Sequence, residues 1–122
     1  MGDDRDFDIG GRKMNINELQ KEIHENAVAH GWWEGGDRNF GELIALCHSE
    51  LSEALEEVRK GKGINDTYYS EGNKPEGVPS ELADVIIRIL DMCEKYGIDM
   101  EAMLLEKHEF NKNRPYKHGK KF

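Results

Sequence analysis

Residues 40–60 read FGELIALCHSELSEALEEVRK, and this stretch decides the fold. Phe40, Leu43, Ile44, Cys47, Leu51, Ala54, Leu55 and Val58 recur at helical spacing, so the segment predicts one long amphipathic helix. Gly61 and Gly63 stop it. The same period puts Glu50, Glu53 and Glu57 on one face. Glu50 aligns with Leu43 two turns earlier, at the border of the apolar stripe rather than on the far solvent side. Glu56 falls on plain surface.

Working outward, residues 61–79 are rich in Gly, Asn and Ser and carry Tyr68, Tyr69 and Lys74. They predict a long loop, and loops of this length in compact domains are often functional. A third helix is expected from near Pro79-Ser80 to Tyr96. Leu82, Ala83, Val85, Ile86, Ile87, Ile89 and Leu90 make it apolar almost all round, which predicts a central, buried helix. Gly97 breaks it. Asp99 can cap a fourth helix, Met100 to Asn113, which Arg114-Pro115 ends.

Upstream, Asn15 can cap a first helix from Ile16 to His30, with Glu18 placed as in a capping box. Ile16, Leu19, Ile23 and Ala27 form its apolar stripe, and Gly31 ends it. Residues 1–14 read as a flexible acidic arm, 15–115 as one helical domain and 116–122 as a basic tail. No strand pattern, repeat or low-complexity run is evident. The expected class is all-α, most simply an antiparallel bundle of about four helices.

The 122 residues suffice for one domain with a modest core. A charged share of 34% against 37% hydrophobic suggests long helices with solvated faces, and further burial through oligomerisation. No run approaches a membrane span, and no apolar stretch near the N-terminus suggests a signal peptide, so a cytoplasmic chain is expected. Cys47 and Cys93 both fall at apolar helix positions. Buried free thiols are favoured there over a disulfide.

The net charge of −8 is unevenly spread. Residues 1–106 carry 11 basic and 24 acidic groups, whereas residues 107–122 carry six basic groups and one acid. An acidic body with a short basic tail does not suit a nucleic-acid polymer, which needs a broad basic face. It suits a small polyanion: acids hold a metal, the metal holds phosphate, and the tail grips the remaining oxygens.

Glu50-x-x-Glu53 is echoed by Glu81-x-x-Asp84 on the third helix. A three-residue gap brings two side chains onto one helical face, roughly 5–6 Å apart at Cβ. Carboxylates beside a core are costly unless compensated. Two such pairs facing each other would make an all-oxygen cage for a hard divalent cation such as Mg2+. The competing explanation is a solvated stripe of Glu81, Asp84, Arg88 and Asp91, with Asp84 and Arg88 paired one turn apart. That suffices for one acid pair; for two pairs on two apolar helices, metal binding is the better account. None of His24, His30, His48, His108 or His118 has an acid three residues before it, which weakens a di-iron reading. Zinc spacings, a P-loop and a Gly-x-Ser-x-Gly elbow are all missing from the sequence.

In order and spacing, Glu50-x-x-Glu53 followed by Glu81-x-x-Asp84 resembles the signature of the MazG-like, all-α nucleoside triphosphate pyrophosphohydrolases. The segment from Lys74 to Asp91 strengthens the resemblance, as does the ending Lys107…Asn111-x-x-Arg114-Pro115…His118-Gly119-Lys120-Lys121. The likeness covers about residues 15–122. It implies Mg2+-dependent hydrolysis of (deoxy)nucleoside triphosphates to monophosphate and pyrophosphate, as nucleotide-pool housekeeping, with Mn2+ as a substitute ion. It also implies Glu50, Glu53, Glu81 and Asp84 as metal ligands, and Lys107, Asn111 and Arg114 as phosphate contacts. A homodimer or homotetramer, with sites using more than one subunit, follows from the same likeness.

Glu50 or Glu53 would then accept a proton from the attacking water. Lys120, with Lys117 and Lys121, is a candidate to close over the triphosphate; a free basic tail is the alternative. Trp32 or Trp33 could stack on the base, or both could serve packing. His30 could hydrogen-bond the nucleoside, against a structural role at a helix end. Tyr68, Tyr69 and Lys74 could form a lid, against plain loop, and Asp91 could support Asp84. The rival functions are a non-catalytic helical dimerisation or nucleotide-sensing module and a metal-buffering bundle.

Overall fold

The computed structural model describes residues 6–9 and 11–122. Of the expected acidic arm, residues 1–5 and 10 lie outside that description. The chain is mostly helical: α1 spans Ile16–Ala29, α2 Phe40–Arg59, α3 Val78–Lys95 and α4 Met100–Lys112.

The helix starts follow local chemistry. Asn15 accepts the Glu18 N–H at 2.8 Å, Asn39 that of Glu42 at 3.2 Å, and Asp99 that of Ala102 at 3.0 Å. Each satisfies an amide that the first helical turn leaves without a backbone partner. α3 has no side-chain cap; Pro79 sits in its first turn, where a missing N–H costs nothing. At its far end Ile98 N–H reaches back to Cys93 C=O at 2.9 Å, while Gly97 takes φ 71°. The same backward bond closes α1, from Trp32 to Ala27, and α2, from Lys62 to Glu57.

Two short ribbons depart from the strand-free expectation. β1 (Phe7–Ile9) pairs antiparallel with β2 (Arg12–Met14), so residues assigned to an arm are folded, and Met14 is only 1% exposed. β3 (Tyr68–Ser70) pairs with β4 (Lys74–Glu76) across a 3-10 turn inside the expected loop. Three-residue strands are too short for alternation to register in sequence. Gly77 follows at φ 110°, and a Cβ there would collide with the Asp66 carbonyl, so the approach of loop to helix requires glycine.

α3 is the central element and packs against both α1 and α2. Gln20 donates to Glu94 Oε1 and to the Ile98 carbonyl, and His24 meets Asp91. Phe40 stacks edge-on with Tyr96, and Glu50 bonds Arg88. In both series the α1 or α2 number rises as the α3 number falls. Both helices therefore run antiparallel to α3 and parallel to each other, unlike the simplest up-and-down order. The 30–39 connection carries the chain back along the bundle between them.

Leu43 and Ala54 from α2 and Val78, Leu90, Met92 and Cys93 from α3 supply most of the buried apolar groups, with Met14. Cys47 is half-buried and Cys93 buried, and both are free thiols. α3 is central but not enclosed: Leu82, Ile86 and Ile87 are 43%, 56% and 44% exposed. α4 touches the rest through its first turn, where buried Glu101 accepts the Ile16 N–H at 2.9 Å. From Ala102 to Phe122 every residue is exposed. No helix among the described residues is long and apolar enough to cross a membrane.

Candidate metal centre and adjoining cavity

The antiparallel packing of α2 on α3 brings Glu50 opposite the Glu81-x-x-Asp84 pair. Carboxylate oxygens of Glu50, Glu81 and Asp84 all lie within 4.8 Å of one another, and all three side chains are half-buried. Burial pushes the Glu81 carboxyl up, and the charges of Asp84, Glu50 and Glu53 add to the rise. Asp84 is also raised, by burial first and by Glu50 next, against the lowering effect of a Glu81 hydrogen bond, Lys74 and Arg88. Clustered acids that resist ionisation are a donor set suited to a hard cation.

Glu53 stands apart from this trio. It is exposed, close enough to influence Glu81 but outside the converging group. A second group forms from Glu57, Glu76 and Glu81, also within 4.8 Å. Here two of the three acids already have partners. Tyr68 Oη donates to both oxygens of buried Glu57 at 3.0 and 3.1 Å, and Lys74 pairs with Glu76 at 3.2 Å. Tyr68 thus ties the β3–β4 ribbon to α2, whereas the Lys74–Glu76 pair lies within β4 itself. Accepting that bond holds the Glu57 carboxylate, and donating it pushes the Tyr68 hydroxyl pKa up.

Glu50 and Asp84 also border a cavity of about 510 Å³ between α1 and α3. Leu19, Ile23, Ala27 and Ile87 give it apolar surface, Asn26 and Trp32 also line it, and Glu22, Arg38, Arg88 and Asp91 supply charge. The lining thus mixes apolar side chains with charged groups of both signs, as ligand pockets do.

Arg88 does not form a hydrogen bond with Asp84 one turn earlier. Its Nε–H donates to Glu50 Oε1 on α2 at 2.7 Å. The interhelical partner wins because α2 packs its Glu50 directly over that face of α3. Asp91 likewise is committed: it accepts His24 Nδ1 at 2.7 Å and Trp33 Nε1 at 3.0 and 3.2 Å. Trp33 is further flanked by Arg38 and Lys95 over its ring, so it is a packing and anchoring residue. Trp32 is 62% exposed at the cavity edge, and His30 Nδ1 bonds the Asn26 carbonyl of its own helix.

Lys107, Asn111, Arg114 and Lys120 are all exposed on α4 and the tail, and none lines the cavity. Lys107 and Arg114 both lie over the Phe110 ring. Conversely, Asn26, Arg38 and the cavity-facing role of Arg88 were not legible in sequence. Each sits outside the acid motifs, and only the helix register assembles them. Comparison of the chain with protein-family models, with curated proteins and with solved structures found no match.

Proposed function

We propose that this chain is a Mg2+-dependent, MazG-like nucleoside triphosphate pyrophosphohydrolase, releasing a nucleoside monophosphate and pyrophosphate. The observation that carries the reading is the convergence of Glu50, Glu81 and Asp84 beside a partly apolar cavity that Glu50 and Asp84 help to line. The donor set fits the ion: three carboxylates and no thiolate or imidazole favour Mg2+ or Mn2+ over softer metals. When bound, Mg2+ supplies neutralisation of phosphate charge and a lowered pKa for an attacking water.

The chain's own groups divide the remaining work. Glu50 has Oε1 bonded by Arg88, and among the described residues its Oε2 has no hydrogen-bond partner and remains available to a cation. Glu53 is exposed and has no hydrogen-bond partner among the described residues, which favours it over Glu50 as the proton acceptor. Trp32, with Ile23 and Ile87, lines the cavity and is placed to meet a base, whereas Trp33 Nε1 is taken by Asp91 and His30 is not among the lining residues. Basic groups near developing pyrophosphate would stabilise it. For Lys107, Asn111, Arg114 and Lys120 to do so, α4 of a second copy has to reach this site.

Assembly as a homodimer or homotetramer is part of the proposal. Its support is the apolar surface a single chain leaves open: Leu51, Leu55, Ile86 and Phe110 are 51%, 57%, 56% and 59% exposed. The same surface favours the second reading, a non-catalytic dimerising module. Pyrophosphate release from a panel of canonical and modified triphosphates, with Mg2+, Mn2+ or EDTA, separates the two. The enzyme releases pyrophosphate with either metal and none with EDTA; a module releases none in any arm.

A further inference from the structure

Arg88 has more donors than its bond to Glu50 uses. A guanidinium carries five N–H groups in a rigid fork, and only Nε–H is engaged, with Glu50 Oε1 at 2.7 Å. Among the described residues neither Nη1 nor Nη2 has a hydrogen-bond partner. The nearby acids on α3 do not take them. Asp91 is already filled by His24 and Trp33, and Asp84 belongs to the carboxylate trio.

The side chain is one-third exposed, at 33%, and it lines the cavity together with Glu50 and Asp84. A half-buried guanidinium whose terminal N–H groups have no partner among the described residues therefore shares one pocket with a cluster of acids. The acids repel an anion unless a cation covers them, whereas the fork attracts one. A ligand satisfying both carries a metal and an anionic oxygen side by side. Phosphate does so, since its oxygens can divide between a divalent ion and a guanidinium.

We propose that Arg88 is a phosphate-binding residue: Nε–H stays anchored on Glu50, and the terminal N–H groups grip a phosphate oxygen of the metal-bound triphosphate. The inference rests on the triphosphate reading above and adds a contact from within the same chain.

The test uses the whole chain and two ligands, Mn2+ alone and inorganic triphosphate with saturating Mg2+, on wild type, Arg88→Lys and Arg88→Met. Far-UV circular dichroism checks folding; should Arg88→Met not fold, Arg88→Lys, which keeps charge and reach but not the fork, decides. Mn2+ affinity is expected to stay within about threefold of wild type, while triphosphate binds at least about tenfold more weakly, the loss of a charge-assisted hydrogen bond. Unchanged triphosphate binding in both variants overturns the inference. So does a parallel fall in Mn2+ and triphosphate affinity, which would leave Arg88 only the orientation of Glu50. A wild type that binds neither ligand removes the proposed function itself, and the Arg88 assignment with it, before any variant is compared.

Discussion

Trp33 Nε1 donates to both oxygens of Asp91, at 3.0 and 3.2 Å, and so pins the connection between α1 and α2 onto the C-terminal part of α3. His24 completes the clasp from α1, with Nδ1 2.7 Å from the same carboxylate and its ring edge-on to Trp33. Three separate parts of the chain meet at one side chain, and Trp32 at the cavity edge is carried by the segment it holds.

Asp91→Ala is therefore expected to lower stability by about 1–3 kcal/mol, the cost of stripping the acceptor from partly buried donors. Urea unfolding followed by tryptophan fluorescence measures it. The native emission should also shift to the red as Trp33 loosens. An unchanged midpoint would mean the clasp is ornamental.

The carboxylate trio makes a prediction about ionisation. Glu81 and Asp84 are raised in the folded state, by burial first and neighbouring acids next. Folding thus favours their protonated forms. Their stabilising contribution is complete below the ordinary carboxylate range and is lost as pH climbs through the raised values. With EDTA present, the Tm contribution of this cluster should be lower at neutral than at mildly acid pH. Mg2+ at neutral pH should restore it. Glu81→Gln should raise Tm in EDTA and blunt the response to Mg2+, both readable by differential scanning calorimetry.

For catalysis, Asp84→Ala and Glu53→Ala should fail differently. Asp84→Ala removes a member of the converging trio, so Mn2+ affinity and kcat/KM should fall together, the latter by about a hundredfold or more. Glu53→Ala should lower kcat by about a hundredfold, while Mn2+ binding changes less. Equal loss of Mn2+ binding in both would return Glu53 to the ligand set. Helicity should persist in each, since Glu53 is exposed and Asp84 half-buried.

The open apolar surface makes the last prediction. Leu55, 57% exposed on α2, lies outside the single-chain core. Leu55→Arg should leave the monomer's helices intact yet dissociate the assembly, as read by light scattering after size exclusion. Where α4 of a second copy serves the site, KM for the triphosphate should rise with dissociation. A wild type that is already monomeric would remove this support.

How much was legible depended on distance along the chain. The helices were expected at Ile16–His30, Phe40–Lys60, Pro79–Tyr96 and Met100–Asn113, and each observed boundary falls within one residue of those limits. Asn15 and Asp99 cap as their positions suggested. Spacing, caps and glycine stops act within a turn or two, so a one-dimensional string contains them. It also contains the pairing of Glu81 with Asp84 on one face.

Only the tertiary structure decided what crosses between helices. The sequence offered four equivalent acids; the register of α2 on α3 selects Glu50, Glu81 and Asp84 and leaves Glu53 outside. It gives Arg88 to Glu50 rather than Asp84, buries Glu57 under Tyr68, and runs α1 parallel to α2. It also leaves α4 and its basic groups standing clear of the cavity. The reason is physical: a helical face is fixed by its own period, whereas the residue opposite it is fixed by how two faces slide and pack.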